Sequence, residues 1–126
     1  ATMSRDPILR GEWLRPGTHV DLVGAFRADM READDTLLRR ARIFVDCRDT
    51  TLDHIGELKI PLAAGTITRD SVLGDYYDLE AGRAGRISAG DITLCKNGGG
   101  AHLDLMVARA IIAACAEHPA QGAAHA

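Results

Sequence analysis

Aromatic side chains are scarce in this chain: one Trp, two Tyr and two Phe among 126 residues. A core built from it must be aliphatic, made of Leu, Ile, Val and Ala. Cysteine is also thin. Cys47, Cys95 and Cys115 are odd in number, far apart and form no Cys-x-x-Cys pair. That is the usage of a reducing compartment, and a soluble cytoplasmic protein is the simplest reading. Positive charge is not in excess. A net charge of -3 and a pI near 5.9 argue against a nucleic-acid partner, which usually meets a basic face. The longest apolar run, residues 105–116, is interrupted by Arg109 and is too short to span a bilayer. No charged-apolar-small leader opens the sequence. No membrane partner is therefore expected.

Chemistry-bearing motifs are few as well. His19, His54, His102, His118 and His125 form no pair at helical or strand spacing, so no metal site is expected. Ser4, Ser71 and Ser88 sit in no nucleophile elbow. The G-x-G-x-x-G dinucleotide fingerprint is missing. Gly98, Gly99 and Gly100 are adjacent instead, and read as a flexible turn more readily than as a phosphate cradle. His102 reads as a solvated first-turn residue.

What is present is an alternation of short apolar runs and helical patterns. Residues 1–18 look irregular, punctuated by Pro7, Gly11, Pro16 and Gly17, and read as an approach cut from something longer. Val20, Leu22 and Val23 then form a first strand, with Asp21 marking a partly solvated face. Gly24 breaks it. Glu32, Asp34 and Asp35 put negative charge where the next helix begins, and Arg39, Arg40 and Arg42 close that helix, as its dipole favours. A second strand, residues 43–47, ends in Asp46 and Cys47. Thr50 and Thr51 are candidate caps for a helix over 52–58, closed by Pro61. Asp70 or Ser71 caps a helix over 72–80, and Gly82 terminates it. Residues 92–96 form a third strand. Residues 101–117 form the clearest helix, with Leu103, Met106, Val107, Ala110, Ile111 and Ala114 on one stripe, stopped by Pro119.

This order reads as α/β with parallel strands. Three strands make a thin sheet, so the expected fold is a Rossmann-like three-layer sandwich, partial. Ligands of such sheets sit outside the carboxyl ends of the strands. That places one wall of any site at residues 24–27, where Arg27 can meet an anionic ligand. Lys96 and Asn97, at the third strand's end, read from composition alone as an exposed strand end.

Three stretches together resemble one family. Gly11-Glu12-Trp13-Leu14-Arg15-Pro16-Gly17-Thr18-His19-Val20 is the first. Val23-Gly24-Ala25-Phe26-Arg27-Ala28-Asp29-Met30-Arg31-Glu32 with Asp34-Asp35 is the second. Ile92-Thr93-Leu94-Cys95-Lys96-Asn97, then Gly99, Ala101 and Asp104, is the third. In order and spacing they are similar to the ornithine cyclodeaminase and mu-crystallin family over about residues 5–115.

The resemblance implies a two-domain parent, with a Rossmann-type domain for NAD or NADP and a second domain that forms a homodimer and carries the substrate Arg and Lys. Residues 1–100 would be the later part of the cofactor domain, 101–118 a helix returning toward the dimerisation domain, and 119–126 a flexible tail. The implied cofactor-site residues are Val23, Gly24, Phe26, Lys96 and Asn97; no catalytic residue falls in this chain, so the fragment alone is expected to be inactive. The family's chemistries are NAD(P)H-dependent reduction of imines, or amino-acid dehydrogenation, and conversion of ornithine to proline and ammonia. Cyclodeaminases carry a catalytic Asp where this chain has Phe26, which can neither accept a proton nor hold an ammonium. The resemblance therefore points first to an imine or ketimine reductase acting on a small amino acid or imine, next to a cyclodeaminase, and third to a non-catalytic binder of nucleotide or small ligand. Leu103 departs from the family's usual acid beside Asp104.

Overall fold

A computed structural model describes residues 1–117. Its centre is a four-stranded parallel sheet in the order β1-β4-β2-β3. The strands are β1 (His19–Leu22), β2 (Arg42–Val45), β3 (Val72–Gly74) and β4 (Thr93–Lys96). The helices are α1 (Asp35–Arg40), α2 (Arg48–Thr51), α3 (Gly56–Ala63), α4 (Tyr76–Glu80) and α5 (Ala101–Glu117). All pairings run parallel, and Leu22 and Val45 both stand beside Lys96.

Alternation along the strands separates two faces. Val20, Leu22, Ile43, Val45 and Leu94 point to one side, where they pack with Leu37 and Leu38 of α1, Leu52 and Leu58. Val45, Leu58 and Leu94 are wholly buried, giving the aliphatic core expected from the composition. On the other side Phe44, Cys95, His19 and Thr93 share a cavity of about 410 Å³ with Leu79 of α4 and Arg86. His19 and Asp21 are the exposed positions of β1, as the acid within the apolar run suggested.

The opening residues are more ordered than their punctuation implies. Leu9 forms a parallel bridge with Ala33, and Gly11–Trp13 make a turn of 3-10 helix. Gly11 is a close-approach position: a Cβ there would lie 2.2 Å from the Leu37 amide nitrogen. Asp34 caps helix α1 from just before its first residue: its carboxylate accepts from the Leu37 amide at 2.8 Å and from Gly11 at 2.9 Å.

Four expectations need correction. Residues 72–74 are a strand and not the start of a helix; they pair with β2 and give the sheet a fourth member. Helix α4 is accordingly short, and its cap is Asp75, not Asp70 or Ser71, with Asp75 accepting from Tyr77 and Asp78. Pro61 does not close the segment but lies inside α3, which Ala64 ends by donating to the Ile60 carbonyl. Thr50 and Thr51 are likewise within α2 and cap nothing that follows. Gly82 does follow the end of α4, with φ of +68°. Among the described residues no helix is long and apolar enough to cross a membrane. The tail at 119–126, Pro119 as a helix stop, and His118 and His125 lie outside the described residues, as does the side chain of His102.

Candidate functional site at the carboxyl ends of β1 and β4

The carboxyl ends of β1 and β4 lie side by side, and three buried charged side chains hold them from below. Beyond Leu22 the chain turns through Val23, Gly24, Ala25 and Phe26. Glu32 fixes that turn: its Oε2 accepts from Gly24 at 2.8 Å and Ala25 at 3.2 Å. Its Oε1 accepts from the Thr2 amide at 2.7 Å and the Thr2 hydroxyl at 3.1 Å. Burial opposes ionisation of Glu32, but the bonds from Thr2, Ala25 and Gly24 outweigh it and hold the carboxyl below its ordinary pKa. Gly24 has no room for a side chain, because a Cβ would sit 2.1 Å from the Thr2 nitrogen.

Beneath Glu32 lies Glu57 of α3, with no exposed surface. Its two oxygens accept the amides of Glu32 at 2.7 Å and Ala33 at 2.9 Å. Burial pushes the Glu57 carboxyl up, with those two amides and the charge of Lys96 acting against it.

Lys96 closes β4 and is also wholly buried. It follows Leu94 on the core face of the sheet. Its Nζ donates to the Leu22 carbonyl at 3.2 Å and to the Asn97 carbonyl at 2.7 Å. The Leu22 carbonyl also accepts the Asn97 amide at 3.0 Å. Burial lowers the Lys96 pKa; Glu57, Glu32, Asp46 and Asp21 act to raise it.

The turn after β4 is equally held. Gly98 donates to Asp46 Oδ2 at 2.8 Å, and Gly99 donates to Asn97 Oδ1 at 2.6 Å. Two amides of the glycine run are thus already occupied by side chains of this chain. In contrast, Val23 is 49% and Phe26 51% exposed, so the rim of the β1 turn is an open apolar surface. The Arg27 guanidinium stacks 5.3 Å from the centre of the Phe26 ring. Met3, Arg5 and Met30 join this pair around a cavity of about 500 Å³.

Of the residues singled out in the sequence, Val23, Gly24, Phe26 and Asn97 come together at one edge of the sheet. Lys96 reaches the same edge from inside. Sequence reasoning missed Glu57 altogether and treated Glu32 as part of a helix start. A signal existed for both: Glu57 sits beside Leu58 in the first turn of a largely apolar short helix, and Glu32 follows Gly24 by eight residues. Among the described residues no group of acids, Cys and His can hold a metal ion.

Known proteins resemble this chain in sequence and in fold. A family model described as "Ornithine cyclodeaminase/mu-crystallin family" matches residues 1–118. Delta(1)-pyrroline-2-carboxylate reductase of Paracoccus denitrificans is 65% identical over 109 residues, which cover 86% of this chain and 34% of that protein. The structure of Thermococcus litoralis Delta(1)-pyrroline-2-carboxylate reductase in complex with NADH and L-proline superposes with a TM-score of 0.81 at 31% identity, covering 94% of this chain and 37% of that one. An archaeal alanine dehydrogenase dimer with bound NAD gives a TM-score of 0.79 at 29% identity, covering 97% and 38%. The chain thus spans about a third of the length of the relatives it matches. With the match running from the first residue through α5, the chain belongs to the ornithine cyclodeaminase/mu-crystallin family.

Proposed function

We propose that this chain is the nicotinamide-side portion of an NAD(P)-dependent imine reductase, acting on a cyclic imine or a similarly small amino-acid-related substrate. The observation that carries the reading is the paired end of β1 and β4. There Leu22 and Lys96 stand in register, and Val23 and Phe26 offer an apolar rim at the edge where open α/β sheets bind ligands. A flat heteroaromatic ring fits that rim. Val23, Gly24, Phe26 and Asn97 would line it, with Lys96 beneath. A pyrophosphate does not fit the glycine turn, because the Gly98 and Gly99 amides are taken by Asp46 and Asn97. Its recognition falls to a segment other than this chain. When bound, the cofactor supplies the hydride.

The relatives that carry the reading are named as reductases of pyrroline-2-carboxylate and as an alanine dehydrogenase with bound NAD. Phe26 favours reduction over ornithine cyclodeamination, since no carboxylate stands at that position to take a proton or an ammonium. In the whole protein, residues 1–100 would complete the cofactor domain. The edge of β1 away from β4 has no partner strand among the described residues, which leaves room for the sheet to continue. Residues 101–118 would run back to a dimer-forming domain. Leu105, Met106, Ile111 and Ile112 of α5 are exposed here and suit such a contact.

The test is NAD(P)H consumption by the whole protein with pyrroline-2-carboxylate, beside proline and ammonia formation from ornithine. Imine-dependent oxidation of NADH or NADPH is expected. Ornithine turnover without imine reduction would overturn the assignment.

A further inference from the structure

A fully buried lysine whose ammonium bonds only to backbone needs an explanation, because burying a cation is costly unless it is well solvated by the protein. Lys96 Nζ spends its hydrogen bonds on the Leu22 and Asn97 carbonyls. These are the last carbonyl of β1 and the first beyond β4. A methionine or leucine would fill the same space at less cost, so packing alone does not account for the charge.

What the ammonium does is join the two strand ends at one point. Leu22 immediately precedes the Val23–Gly24 turn, and Asn97 immediately precedes the glycine turn. Both turns are then gripped again by acids: the first by Glu32 through Gly24 and Ala25, the second by Asp46 through Gly98. Glu32 is in turn anchored through its own amide to Glu57. Most polar links in this cluster end on backbone of the two strand ends and their turns or of the segment carrying Glu32; the other Glu32 oxygen takes the Thr2 amide and hydroxyl. None of the three buried charges reaches the exposed rim.

We propose that Lys96 is a positioning residue: an internal cation that sets the spacing of the β1 and β4 turns, and through them the width of the cleft between Val23–Phe26 and Asn97, without touching the ligand itself. Glu32 holds the β1 turn from the other side, with Glu57 behind it through the Glu32 amide. This rests on the reading that the rim receives the nicotinamide.

The experiment compares the whole protein with its Lys96→Met variant, which keeps the length of the side chain and removes its charge and donors. Apparent melting temperature, KM for NADH and for NADPH, and kcat with pyrroline-2-carboxylate are measured together, with amide hydrogen exchange over residues 20–27 and 95–100. The expected result is a folded variant whose cofactor KM rises on the order of tenfold or more, since ångström-scale misplacement of a site costs up to about 100-fold. Exchange should accelerate in both segments at once. A variant with unchanged KM, kcat and exchange would reduce Lys96 to a packing residue and overturn the proposal, while leaving the reductase reading intact.

Should Lys96→Met fail to fold, the unsubstituted protein decides. NADH or NADPH must then slow exchange in both segments together, and protection of one without the other overturns the proposal. No cofactor binding at all by the unsubstituted protein would overturn the reductase reading itself, and the proposal with it.

Discussion

Asp46, the first residue beyond β2, reaches across to the turn after β4 and accepts the Gly98 amide at 2.8 Å. Its other oxygen accepts the Cys47 amide at 2.7 Å. The turn presses close, for a Cβ on Gly98 would lie 2.9 Å from Thr51 Cγ2. Asp46→Ala should leave both amides without an acceptor and cost about 1–3 kcal/mol, the usual penalty for orphaned partly buried donors. Urea unfolding at neutral pH checks this. Unchanged stability would mean that water replaces the carboxylate at no cost.

Gly11→Ala should be worse than its size suggests. The new methyl would meet the Leu37 nitrogen at 2.2 Å and the Leu37 Cα at 2.6 Å. Both atoms belong to the backbone of α1, which cannot swing aside as a side chain can. Overpacking of this kind costs about 1–3 kcal/mol, and the Asp34 bond to Gly11 is strained with it. A melting temperature equal to that of the parent would show that the opening segment detaches freely from α1.

Acid sensitivity should come in part from Asp78. Arg48 and Arg83 donate to its carboxylate, at 2.8 Å and 3.0 Å, and its pKa falls from 3.8 to about 2. A carboxyl whose pKa is lower in the folded state stabilises fully above its unfolded value. That contribution fades as the pH drops from near 3.8 through about 2. Asp78→Asn should therefore flatten the loss of stability across this window, measured as the denaturation midpoint at a series of acid pH values. Equal slopes for both proteins would contradict the ion pairs.

Glu57 works in the opposite sense. Its pKa is raised above 4.5 by burial, so the folded protein holds a proton there that the unfolded chain releases. Stability from this group declines as the pH rises from 4.5 upward. Glu57→Gln should lose about 1–3 kcal/mol, because an amide oxygen can serve only one of the Glu32 and Ala33 amides. The deficit should be largest near the acid end of the window and shrink as the pH rises. A deficit that grows with pH would show that Glu57 is ionised throughout.

Leu94→Ala tests the core. Leu94 is wholly buried at the centre of the sheet, with strands on both sides. Truncation there should cost about 2–5 kcal/mol through lost burial and a residual cavity. A cost under about 1 kcal/mol would mean that the neighbours collapse into the space.

The readable parts of the fold were those where an apolar run ends in a turn. β1, β2 and β4 each carry that pattern, and α5 carries a helical stripe. β3 does not. Only Val72 and Gly74 of its three residues face inward, while Leu73 is 40% exposed. The acids and serine around it resemble helix caps, and what makes it a strand is the outer edge of β2 beside it. Pro61 misled for a related reason: local chemistry says stop, yet Pro61 is buried in α3, whose Leu58 packs in the core.

Of the candidate site, the rim can be placed from the sequence, whereas the support beneath it cannot. Val23, Gly24, Phe26 and Asn97 stand in a recognisable order along the chain, so their common edge follows from the strands that carry them. The links from Glu57 to Glu32 and from Asp46 to Gly98 span 25 and 52 positions. No local pattern encodes such contacts. Lys96, adjacent to Asn97, was visible as a residue of the edge but not as one that faces inward, because that depends on which face of β4 the helices cover.

The strand order also governs how the chain can be assembled. β1 and β2 are both neighbours of β4, and neither touches the other within the sheet. A nascent chain that has emerged only through β3 holds two strands flanking an empty lane. The lane is filled by residues 93–96, some 74 positions after their partners in β1. β4 is thus synthesised after both of its neighbours, and its pairing with β1 is of the slow, non-local kind. Until it happens the inner edges of both strands are open to foreign strands. Until residues 93–96 are available those two inner edges stay open, and their pairing with β4 closes both at once.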